Sequence, residues 1–512
     1  MELQLSPLPI LFTFLLLFMV KKIREKNKNP APKLPPGPWK LPIIGNIHQL
    51  IGPLPHHALR DLANKHGPFM HLRLGEVSMI IVSSPRFAEE VMKNHDLNFA
   101  DRPFFLPSKI ISYGCTNIAF SPYCNYWRQL RKICTLELLS TRRVESFSHI
   151  REEEVVNLVR SIFAAANSPI NLTEKLFALT NNVISKAMLG KKCKEQEKFN
   201  SGLKEAIELS GGFTLADLFP SLEFISVISG MRYKLEKVAK KLDGFMEEII
   251  KERRQMRLAK EMRRSEGEEE EEEDLIDVLL RIQQHGVLDF PLTSDNIKAV
   301  ILDLFFGGTE TSSTLMDWVM AELMRNPRVR EKVQTEVRMA FKEKGKLEER
   351  EIGELSYLKS VVKETLRLHP PLALLLPRQC REKCEIAGYE IPPKTRVIIN
   401  GWAIGRDPEH WDDPETFKPE RFDGSPIDFK GNNFEFIPFG AGRRMCPGIS
   451  FGVVNSLLPL AQLLYYFDWK LPSEMKPEDL DMMETFGATV SRRSDLHLVP
   501  IPCFPLPIEQ DN

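Results

Sequence analysis

The fold of this chain is decided by one segment, which reads Phe436-Ile437-Pro438-Phe439-Gly440-Ala441-Gly442-Arg443-Arg444-Met445-Cys446-Pro447-Gly448. It places a single cysteine in a loop rich in glycine and proline, shortly after two arginines. The glycines permit backbone turns that other residues disfavour, and they let the chain approach a flat ligand closely. A thiolate in such a loop can bind a soft metal if backbone N–H groups and positive charge stabilise it. The alternative is a surface turn that contains a buried free cysteine.

The spacing of these residues resembles a known signature. The pattern Phe439-x-x-Gly442-x-Arg444-x-Cys446-x-Gly448 is similar to the haem-binding motif of the cytochrome P-450 monooxygenases. The resemblance implies that Cys446 is the axial thiolate ligand of the iron of haem b, and that Phe439 and Gly448 belong to the haem-binding loop. It also implies the fold of that family: mainly α with a minor β domain, a helical bundle around a buried haem with small antiparallel sheets, and an N-terminal membrane anchor helix.

A long apolar helix is predicted between Thr293, which can cap its start, and Asn326-Pro327, which stops it. It is interrupted by Gly307-Gly308-Thr309-Glu310-Thr311-Ser312, and paired glycines within a helix are costly and often mark a kink. The stretch resembles the oxygen-binding motif of the same family. By that resemblance, Thr311 donates a hydrogen bond to the iron-bound oxygen species and Glu310 supplies protons through water. The alternative is a helix–helix contact made by small residues.

Four further residues could bind the two haem propionates. Trp127 and Arg131 are four residues apart on a predicted helix and therefore share a face, on which an indole and a guanidinium suit a carboxylate. In the resembled family this W-x-x-x-R pair meets a propionate, and Arg378 and Arg444 complete the donor set. Without that resemblance, Trp127 and Arg131 would be an ordinary aromatic–arginine pair at the surface.

Glu364 and Arg367 are three residues apart on a predicted helix face, and Arg421 follows in Pro419-Glu420-Arg421-Phe422. Exposed acid–base pairs at this spacing are common and contribute little. The family's E-x-x-R pair locks with such an arginine behind the haem, so the resemblance implies a structural role for all three residues.

The substrate cavity that the resemblance implies is apolar, and it disfavours a charged group buried near the iron. Its predicted residues are Ile118, Phe120, Leu302, Phe305, Phe306, Gly307, Ala373, Leu374, Leu375, Phe486 and Ala488.

Composition excludes several other classes. The 512 residues are 43% hydrophobic and 27% charged with a formal net charge of -1, so the basic surplus of nucleic-acid binders is missing and we expect no nucleic-acid partner. The eight cysteines have no framework spacing, which fits a reducing compartment. Cys380 and Cys384 form a close pair without a second pair to complete a zinc site, and we interpret them as structural thiols.

The chain divides into an anchor, a hinge and one large domain. Residues 1–20 are mostly apolar, and lysines and an arginine follow them. This order predicts an uncleaved membrane anchor with the following chain in the cytosol, although a buried N-terminal helix is an alternative. Residues 21–38 form a basic, proline-rich hinge, and 39–512 a single haem-thiolate monooxygenase domain. An acidic run over 265–274 is predicted to be a loop within that domain.

Local patterns predict a few further elements. Residues 69–74 and 79–82 are predicted to be strands separated by Gly75-Glu76. By the resemblance, residues 451–467 are expected to form a helix beneath the haem, and the chain is expected to end in strands. The histidines at 56, 57, 66 and 71 show no ligand spacing, and we interpret them as surface or packing residues.

The resemblance covers nearly the whole chain, and the sequence is most similar in character to plant microsomal members of the family that hydroxylate terpenes. It implies a monooxygenase of the endoplasmic reticulum membrane. Such an enzyme takes electrons from NADPH through a separate reductase, consumes O2, and oxidises a small apolar substrate by iron-oxo hydrogen abstraction and rebound. A sesquiterpene or diterpene is the expected substrate; a fatty-acid epoxygenase or hydroxylase and an alkaloid hydroxylase are alternatives of the same fold. A haem-thiolate isomerase or dehydratase and a non-enzymatic haem protein are alternatives of a different class.

Overall fold

The structure is a computed structural model that describes residues 32–52, 54–190, 196–212, 214–222, 224–264, 273–286, 288–344 and 349–505. The predicted anchor, most of the basic hinge and most of the acidic loop lie outside these residues. In the described part, helices account for most of the chain and the strands are short. The predicted fold class, mainly α with a minor β domain, is confirmed.

The described α-helices are numbered here in chain order. They are α1 Pro55–His66, α2 Pro85–Glu89, α3 Leu106–Ile111, α4 Asn125–Ile133, α5 Thr141–Ser146, α6 Ser148–Phe163, α7 Leu172–Leu189, α8 Gln196–Ser210, α9 Leu215–Leu218, α10 Ile225–Ile228, α11 Met231–Arg264, α12 Leu275–His285, α13 Ser294–Arg325, α14 Pro327–Lys344, α15 Glu349–Ile352, α16 Ser356–Leu368, α17 Gly401–Ile404 and α18 Ile449–Tyr466. Short 3-10 turns include Pro419–Phe422 and Gly442–Arg444.

Within the described residues, the strands form four small sheets. They are β1 Phe69–Leu74, β2 Val77–Val82, β3 Ile170–Asn171, β4 Arg378–Gln379, β5 Cys384–Ile386, β6 Tyr389–Ile391, β7 Arg396–Ile399, β8 Phe467–Lys470, β9 Glu484–Phe486, β10 Val490–Arg492 and β11 His497–Pro502. The largest sheet has the order β1-β2-β7-β4, in which β2 and β7 run parallel and the other pairs run antiparallel. The strand predicted over 69–74 is confirmed, and the next strand starts at Val77, two residues before its predicted start.

Helix α13 runs through the middle of the helical body. The hydroxyl of Thr293 accepts a hydrogen bond from the backbone N–H of Asn296 at 3.2 Å, and Oδ1 of Asn296 accepts one from the backbone N–H of Thr293 at 3.0 Å, so the start of α13 is capped in both directions. Most of the residues of α13 are buried because α7, α16 and α18 pack around it. The helix is continuous through Gly307 and Gly308.

The two glycines have different surroundings. A Cβ on Gly308 would lie 3.1 Å from Cδ1 of Ile184 in α7, so the absent side chain lets the two helices approach closely. A Cβ on Gly307 would meet no atom within 4 Å. Gly308 therefore serves the contact between the two helices, and Gly307 borders open space.

Helix α18 starts immediately after the cysteine loop and packs in the core against α6, α13 and α14. Within the described residues it is the one helix with the length and apolar composition of a membrane span. More than half of it, 56%, is buried inside the protein, so its apolar character is explained by its place in the core.

Candidate haem site

The cysteine loop is held in a conformation that only glycine permits at two positions. Gly440 and Gly442 have φ values of 71° and 68°. A Cβ on Gly442 would lie 2.1 Å from the carbonyl oxygen of Met92 and 2.6 Å from Oδ1 of Asp96, so no side chain fits there. The loop is closed by the N–H of Cys446, which donates to the carbonyl of Phe439 at 3.0 Å. These contacts fix Cys446 just before the first turn of α18.

The surroundings of Cys446 act on its thiol in opposite directions. Burial raises the pKa of the thiol, while the backbone N–H of Gly448 and the positive charge of Arg131 work to lower it. A thiol of this kind becomes a thiolate when a metal binds, because coordination removes the proton outright. The two stabilising groups then supply a hydrogen bond and a positive charge to the sulfur.

Among the described residues, four guanidinium groups besides that of Arg443 lie close to the cysteine loop, and most of their donors are directed at backbone carbonyls. Arg444 donates to the carbonyls of Ala100 and Ser121, both at 2.6 Å. Arg378 donates to the carbonyl of Ala441 at 2.8 Å and to Oδ1 of Asp96 at 3.1 Å. The four residues are Arg102, Arg131, Arg378 and Arg444.

These guanidiniums carry an excess of buried positive charge. Burial lowers the pKa of Arg444 to about 9, and repulsion from Arg378 adds to the effect. Burial also lowers the pKa of Arg102 well below its usual range, and Arg444, Arg378 and Arg131 lower it further. Since mutual repulsion inside a protein is costly, this cluster suits a ligand that brings two negative charges, such as a pair of carboxylates.

Sequence reasoning found three of the four arginines and missed Arg102. The side chain of Arg102 donates to the carbonyls of Leu376, Pro377 and Ala119 at 2.7–3.0 Å. It stands far from the cysteine motif in sequence and has no partner at a helical spacing, so no local pattern marks it. The structure brings it into the cluster through contacts with two distant loops.

The predicted pair on α4 shares one face but has separate partners. Nε1 of Trp127 donates to the carbonyl of Ile118 at 2.9 Å, and the guanidinium of Arg444 lies 4.0 Å from the centre of the indole ring. Arg131 donates to the carbonyl of Met445, the residue before Cys446, at 2.6 Å. The two side chains therefore tie α4 to the cysteine loop.

The open side of α13 carries the predicted oxygen-handling residues. The hydroxyl of Thr311 donates to the carbonyl of Gly307 at 2.6 Å, and both residues have accessible surface on a helix that is otherwise largely buried. The carboxylate of Glu310 accepts a hydrogen bond from the hydroxyl of Thr489 at 3.1 Å. Burial raises the pKa of Glu310, and the bond from Thr489 works against that shift.

The predicted cavity residues differ in exposure. Phe120, Phe306, Leu374, Leu375, Phe486 and Ala488 are partly accessible and Gly307 is exposed, whereas Ile118, Leu302, Phe305 and Ala373 are buried. The ring of Phe305 meets that of Phe199 of α8 edge to face at 4.8 Å. Phe305 thus contributes to packing between α13 and α8, and the partly accessible residues retain apolar side-chain area that is open to contact.

One residue that sequence reasoning missed holds the loop before α4 against α13. The partly buried carboxylate of Asp303 accepts hydrogen bonds from the backbone of Ile118 and Ala119 at 2.7 and 3.0 Å, and from the side chain of Asn117 at 2.6 Å. Burial raises the pKa of Asp303 to about 6 although these donors favour its ionised form. Asp303 therefore fixes the position of Ile118 relative to Gly307, one turn further along the helix.

Glu364, Arg367 and Arg421 form one buried ion cluster. Arg367 donates to both carboxylate oxygens of Glu364 at 2.7 and 2.8 Å, and Nε of Arg421 donates to Oε1 of the same carboxylate at 3.0 Å. Arg367 also binds the carbonyls of Gly405 and Pro414. The cluster joins α16 to the 3-10 turn Pro419–Phe422 and to the segment that precedes it.

Together these features match a haem in three respects. Cys446 offers a sulfur in a closed loop, the arginine cluster offers positive charge for two propionates, and Gly307 of α13 borders open space. The donor set, one soft sulfur beside guanidiniums and an apolar surface, fits iron protoporphyrin.

Comparison with known proteins supports the same conclusion. The family model described as Cytochrome P450 matches residues 35–497. Desmethyl-deoxy-podophyllotoxin synthase of Sinopodophyllum hexandrum is 54% identical over 501 residues, which are 98% of this chain and 97% of the relative. Premnaspirodiene oxygenase of Hyoscyamus muticus is 53% identical over 504 residues, 98% and 99% of the two chains.

A third relative and a solved structure extend the comparison. The 5-epiaristolochene 1,3-dihydroxylase of Nicotiana tabacum is 50% identical over 505 residues, 98% of this chain and 99% of the relative. A zebrafish cytochrome P450 structure with progesterone superposes with a TM-score of 0.74 at 24% identity, and it covers 88% of this chain and 100% of the other. That structure shows the fold, and the relatives show similarity along nearly the entire sequence.

Proposed function

Since this chain belongs to the cytochrome P450 family, we propose that this haem-thiolate monooxygenase oxidises an apolar plant specialised metabolite, with a sesquiterpene or diterpene as its substrate. The observation that carries the substrate class is the apolar character of the predicted cavity residues, among which Phe306, Phe486 and Ala488 are partly accessible. A buried charged group on the substrate would need a partner of opposite charge. The nearby acid, Glu310, is already bound to Thr489.

The names of the relatives support this proposal without deciding it. Premnaspirodiene oxygenase and 5-epiaristolochene 1,3-dihydroxylase are named for oxidations of particular compounds, and desmethyl-deoxy-podophyllotoxin synthase is named for a different product at similar identity. Identity alone therefore does not select one substrate. The apolar character of the predicted cavity residues is the better guide.

In this proposal Cys446 would bind the haem iron through its sulfur, and Trp127, Arg102, Arg131, Arg378 and Arg444 would hold the propionates. When bound, the haem supplies activation of dioxygen and the oxidising chemistry. The protein holds the cysteine sulfur beside the N–H of Gly448 and the charge of Arg131. Its remaining task is to orient the substrate and to control protons and water on the side of α13.

Thr311 and Glu310 are the groups proposed to manage those protons. The hydroxyl of Thr311 is next to the open space at Gly307, and its present acceptor is the carbonyl of that glycine. Glu310 is partly buried, and the loss of solvation raises the pKa of its carboxyl, so this side chain holds a proton more readily than an exposed glutamate.

Electrons are proposed to come from NADPH through a separate NADPH–cytochrome P-450 reductase. The proposed location is the endoplasmic reticulum membrane, with residues 1–20 as the anchor and the catalytic domain in the cytosol. The apolar run and the positive residues that follow it support this orientation. A protein of this type is tested in microsomes that contain the reductase.

The decisive test is product analysis from microsomes that hold this protein and a plant reductase, with sesquiterpenes, diterpenes, unsaturated fatty acids and alkaloids, with and without NADPH. We expect an oxygenated terpene that forms only with NADPH. Turnover of a fatty acid or an alkaloid instead would overturn the substrate class. A product that forms equally without NADPH would overturn the monooxygenase assignment in favour of an isomerase or dehydratase.

The proton roles are tested separately with Thr311→Ala and Glu310→Gln. Both variants should keep the thiolate-haem spectrum in the reduced carbon-monoxide complex, since neither residue lies in the cysteine loop. We expect each to consume NADPH while a larger share of the electrons leaves as hydrogen peroxide. Fully coupled turnover in either variant removes that residue from proton delivery.

A further inference from the structure

The hydrogen bond between Thr489 and Glu310 joins two parts of the site that are 179 residues apart in sequence. Thr489 lies in the turn between β9 and β10, and its side chain is largely buried with a relative exposure of 6%. Its hydroxyl donates to Oε1 of Glu310 at 3.1 Å. The predicted substrate-contacting residues Phe486 and Ala488 belong to this same hairpin.

The hairpin is held firmly where it approaches α13. The N–H of Val490 donates to the carbonyl of Pro371 at 2.8 Å, and Nε1 of Trp318, two turns beyond Glu310, donates to the carbonyl of Val490 at 3.1 Å. Within the turn, the N–H of Gly487 donates to the carbonyl of Thr489 at 3.0 Å. Thr489 is thus presented to Glu310 by fixed neighbours on both sides.

The charged neighbours of Glu310 come from a third element. Lys204 and Glu208 of α8 act on it through space, the lysine favouring the ionised carboxylate and the glutamate opposing it. Both effects are smaller than the loss of solvation and the hydrogen bond from Thr489. The hydroxyl of Thr489 is therefore the main group that offsets the burial of Glu310.

We propose that Thr489 is a positioning residue for proton delivery, and that its hydroxyl holds the carboxylate of Glu310 in place through the substrate-contacting hairpin. A substrate that presses on Phe486 or Ala488 then acts on the same hairpin that orients the acid. Proton delivery is in this way linked to occupation of the cavity. This inference rests on the role of Glu310 in the proposed function.

The first test compares Thr489→Val, which keeps the shape and removes the hydroxyl, with Thr489→Ser, which keeps the hydroxyl. In the full-length haem-loaded enzyme, with reductase and the substrate that the product analysis finds, we measure the product and the hydrogen peroxide formed per NADPH consumed between pH 6 and pH 9. We expect Thr489→Val to lower the ratio of product to peroxide by roughly tenfold, the factor set by one hydrogen bond to a charged group. Thr489→Ser should resemble the wild type.

The pH dependence gives the sign of the effect. Loss of the donor removes a group that favours the carboxylate, so the pKa of Glu310 rises in Thr489→Val and the acid limb of the coupling profile moves to higher pH. Ser491→Ala, in the same hairpin but without a bond to Glu310, should leave the profile unchanged. A profile that is equally shifted in Ser491→Ala would assign the effect to a disturbed hairpin and overturn the proposal.

A second measurement does not depend on turnover. The infrared band of the protonated Glu310 carboxyl is identified as the band that Glu310→Gln lacks, and its intensity is titrated against pH in wild type, Thr489→Val and Thr489→Ser. We expect a higher midpoint in Thr489→Val alone. If the midpoints are equal and Glu310→Gln loses electrons as hydrogen peroxide, the role of Thr489 is overturned and that of Glu310 is kept. If turnover in Glu310→Gln is fully coupled, the proposed proton role of Glu310 is itself overturned.

Discussion

At the scale of single residues, Gly442 is the strictest position in the cysteine loop. Its φ of 68° disfavours any side chain, and a Cβ would be only 2.1 Å from the backbone of Met92. We expect Gly442→Ala to cost about 3 kcal/mol or more and to abolish most haem incorporation, because backbone atoms cannot move aside. The measurements are the thiolate-haem spectrum per mole of protein and denaturant unfolding.

Gly424→Ala, outside the cysteine loop, is the matched control for Gly442→Ala. Gly424 has a φ of 63°, but a Cβ there would meet no atom within 4 Å. Only the conformational strain remains, which costs about 1–2 kcal/mol. If the two variants lose haem and stability to the same extent, the close approach at Met92 does not constrain the loop.

At the scale of single residues, the sequence predicts candidate site residues where the signal is local. The spacing around Cys446 and the position of Thr311 and Glu310 could be read because each motif lies within about a dozen residues. Arg102, Asp303 and Thr489 could not be predicted, since each acts through a partner on a distant segment. Hydrogen bonds between Thr489 and Glu310, or Asp303 and Asn117, depend on how the chain folds back and leave no periodic trace in the sequence.

At the scale of elements, the ion cluster of Glu364 ties α16 to the segment that ends at Arg421. Glu364 and Arg367 have no exposed side-chain surface. We expect Glu364→Gln to cost about 3 kcal/mol, because the guanidinium of Arg367 would stay buried without an opposing charge. Denaturant unfolding with parallel haem absorbance measures the loss.

An exposed pair of similar geometry provides the comparison. Nε of Arg232 lies 2.8 Å from Oε1 of Glu236, and both side chains are about half exposed. Glu236→Gln should change stability by no more than about 0.5 kcal/mol, since solvent screens such pairs. Equal losses in the two variants would mean that burial of the Glu364 cluster does not determine its contribution.

Substitution of Gly307 on α13 is expected to change the stability of the protein and its activity in opposite directions. Alanine is favoured over glycine inside a helix by about 1 kcal/mol, and a Cβ at this position meets no protein atom. We therefore expect Gly307→Ala to stabilise the protein while the added methyl group reduces turnover of bulky substrates several-fold. Thermal unfolding and a series of substrates of increasing size measure both effects, and unchanged size selectivity would remove Gly307 from the cavity wall.

At the scale of the whole molecule, the alternating and helical patterns of the sequence predicted β1 and α13 and the mainly α class, because these elements follow from residue periodicity. The long-range polar contacts that fasten the body together were not predictable in this way. The histidine at 56 was interpreted as a surface or packing residue; the structure buries it and places its Nε2 2.8 Å from a carboxylate oxygen of Glu484, 428 positions along the chain. Such contacts join the amino-terminal sheet region to the carboxy-terminal hairpin, and only the folded topology brings them together.

His71 on β1 gives the whole molecule a testable pH dependence. Its Nδ1 lies 3.0 Å from Nζ of Lys40 and its Nε2 lies 2.8 Å from Oγ of Ser78, so it joins the segment before α1 to the main sheet. Burial lowers the pKa of His71 to about 4, and the charges of Lys40 and Arg73 contribute. In the unfolded chain the imidazole has a pKa of about 6.5 and therefore binds more protons between pH 6.5 and pH 4.

This contribution to stability is fully present above pH 6.5 and is lost as the pH falls towards 4. At pH 5 the loss amounts to about 2 kcal/mol, since each pH unit of difference is worth about 1.4 kcal/mol. Asp274, Asp303 and Asp317, whose pKa values burial raises to about 6, act in the opposite direction over this range. The slope of stability against pH in the wild type alone therefore does not isolate His71.

The difference between wild type and His71→Gln does isolate it. We expect the variant to lose less stability than the wild type between pH 7 and pH 5, by about 2 kcal/mol, whatever its absolute stability at pH 7. His149→Gln, at an exposed position, should keep the slope of the wild type. Parallel slopes for wild type and His71→Gln in denaturant unfolding would show that His71 takes up a proton as readily in the folded protein as in the unfolded chain, and that the link to Lys40 and Ser78 does not keep it neutral.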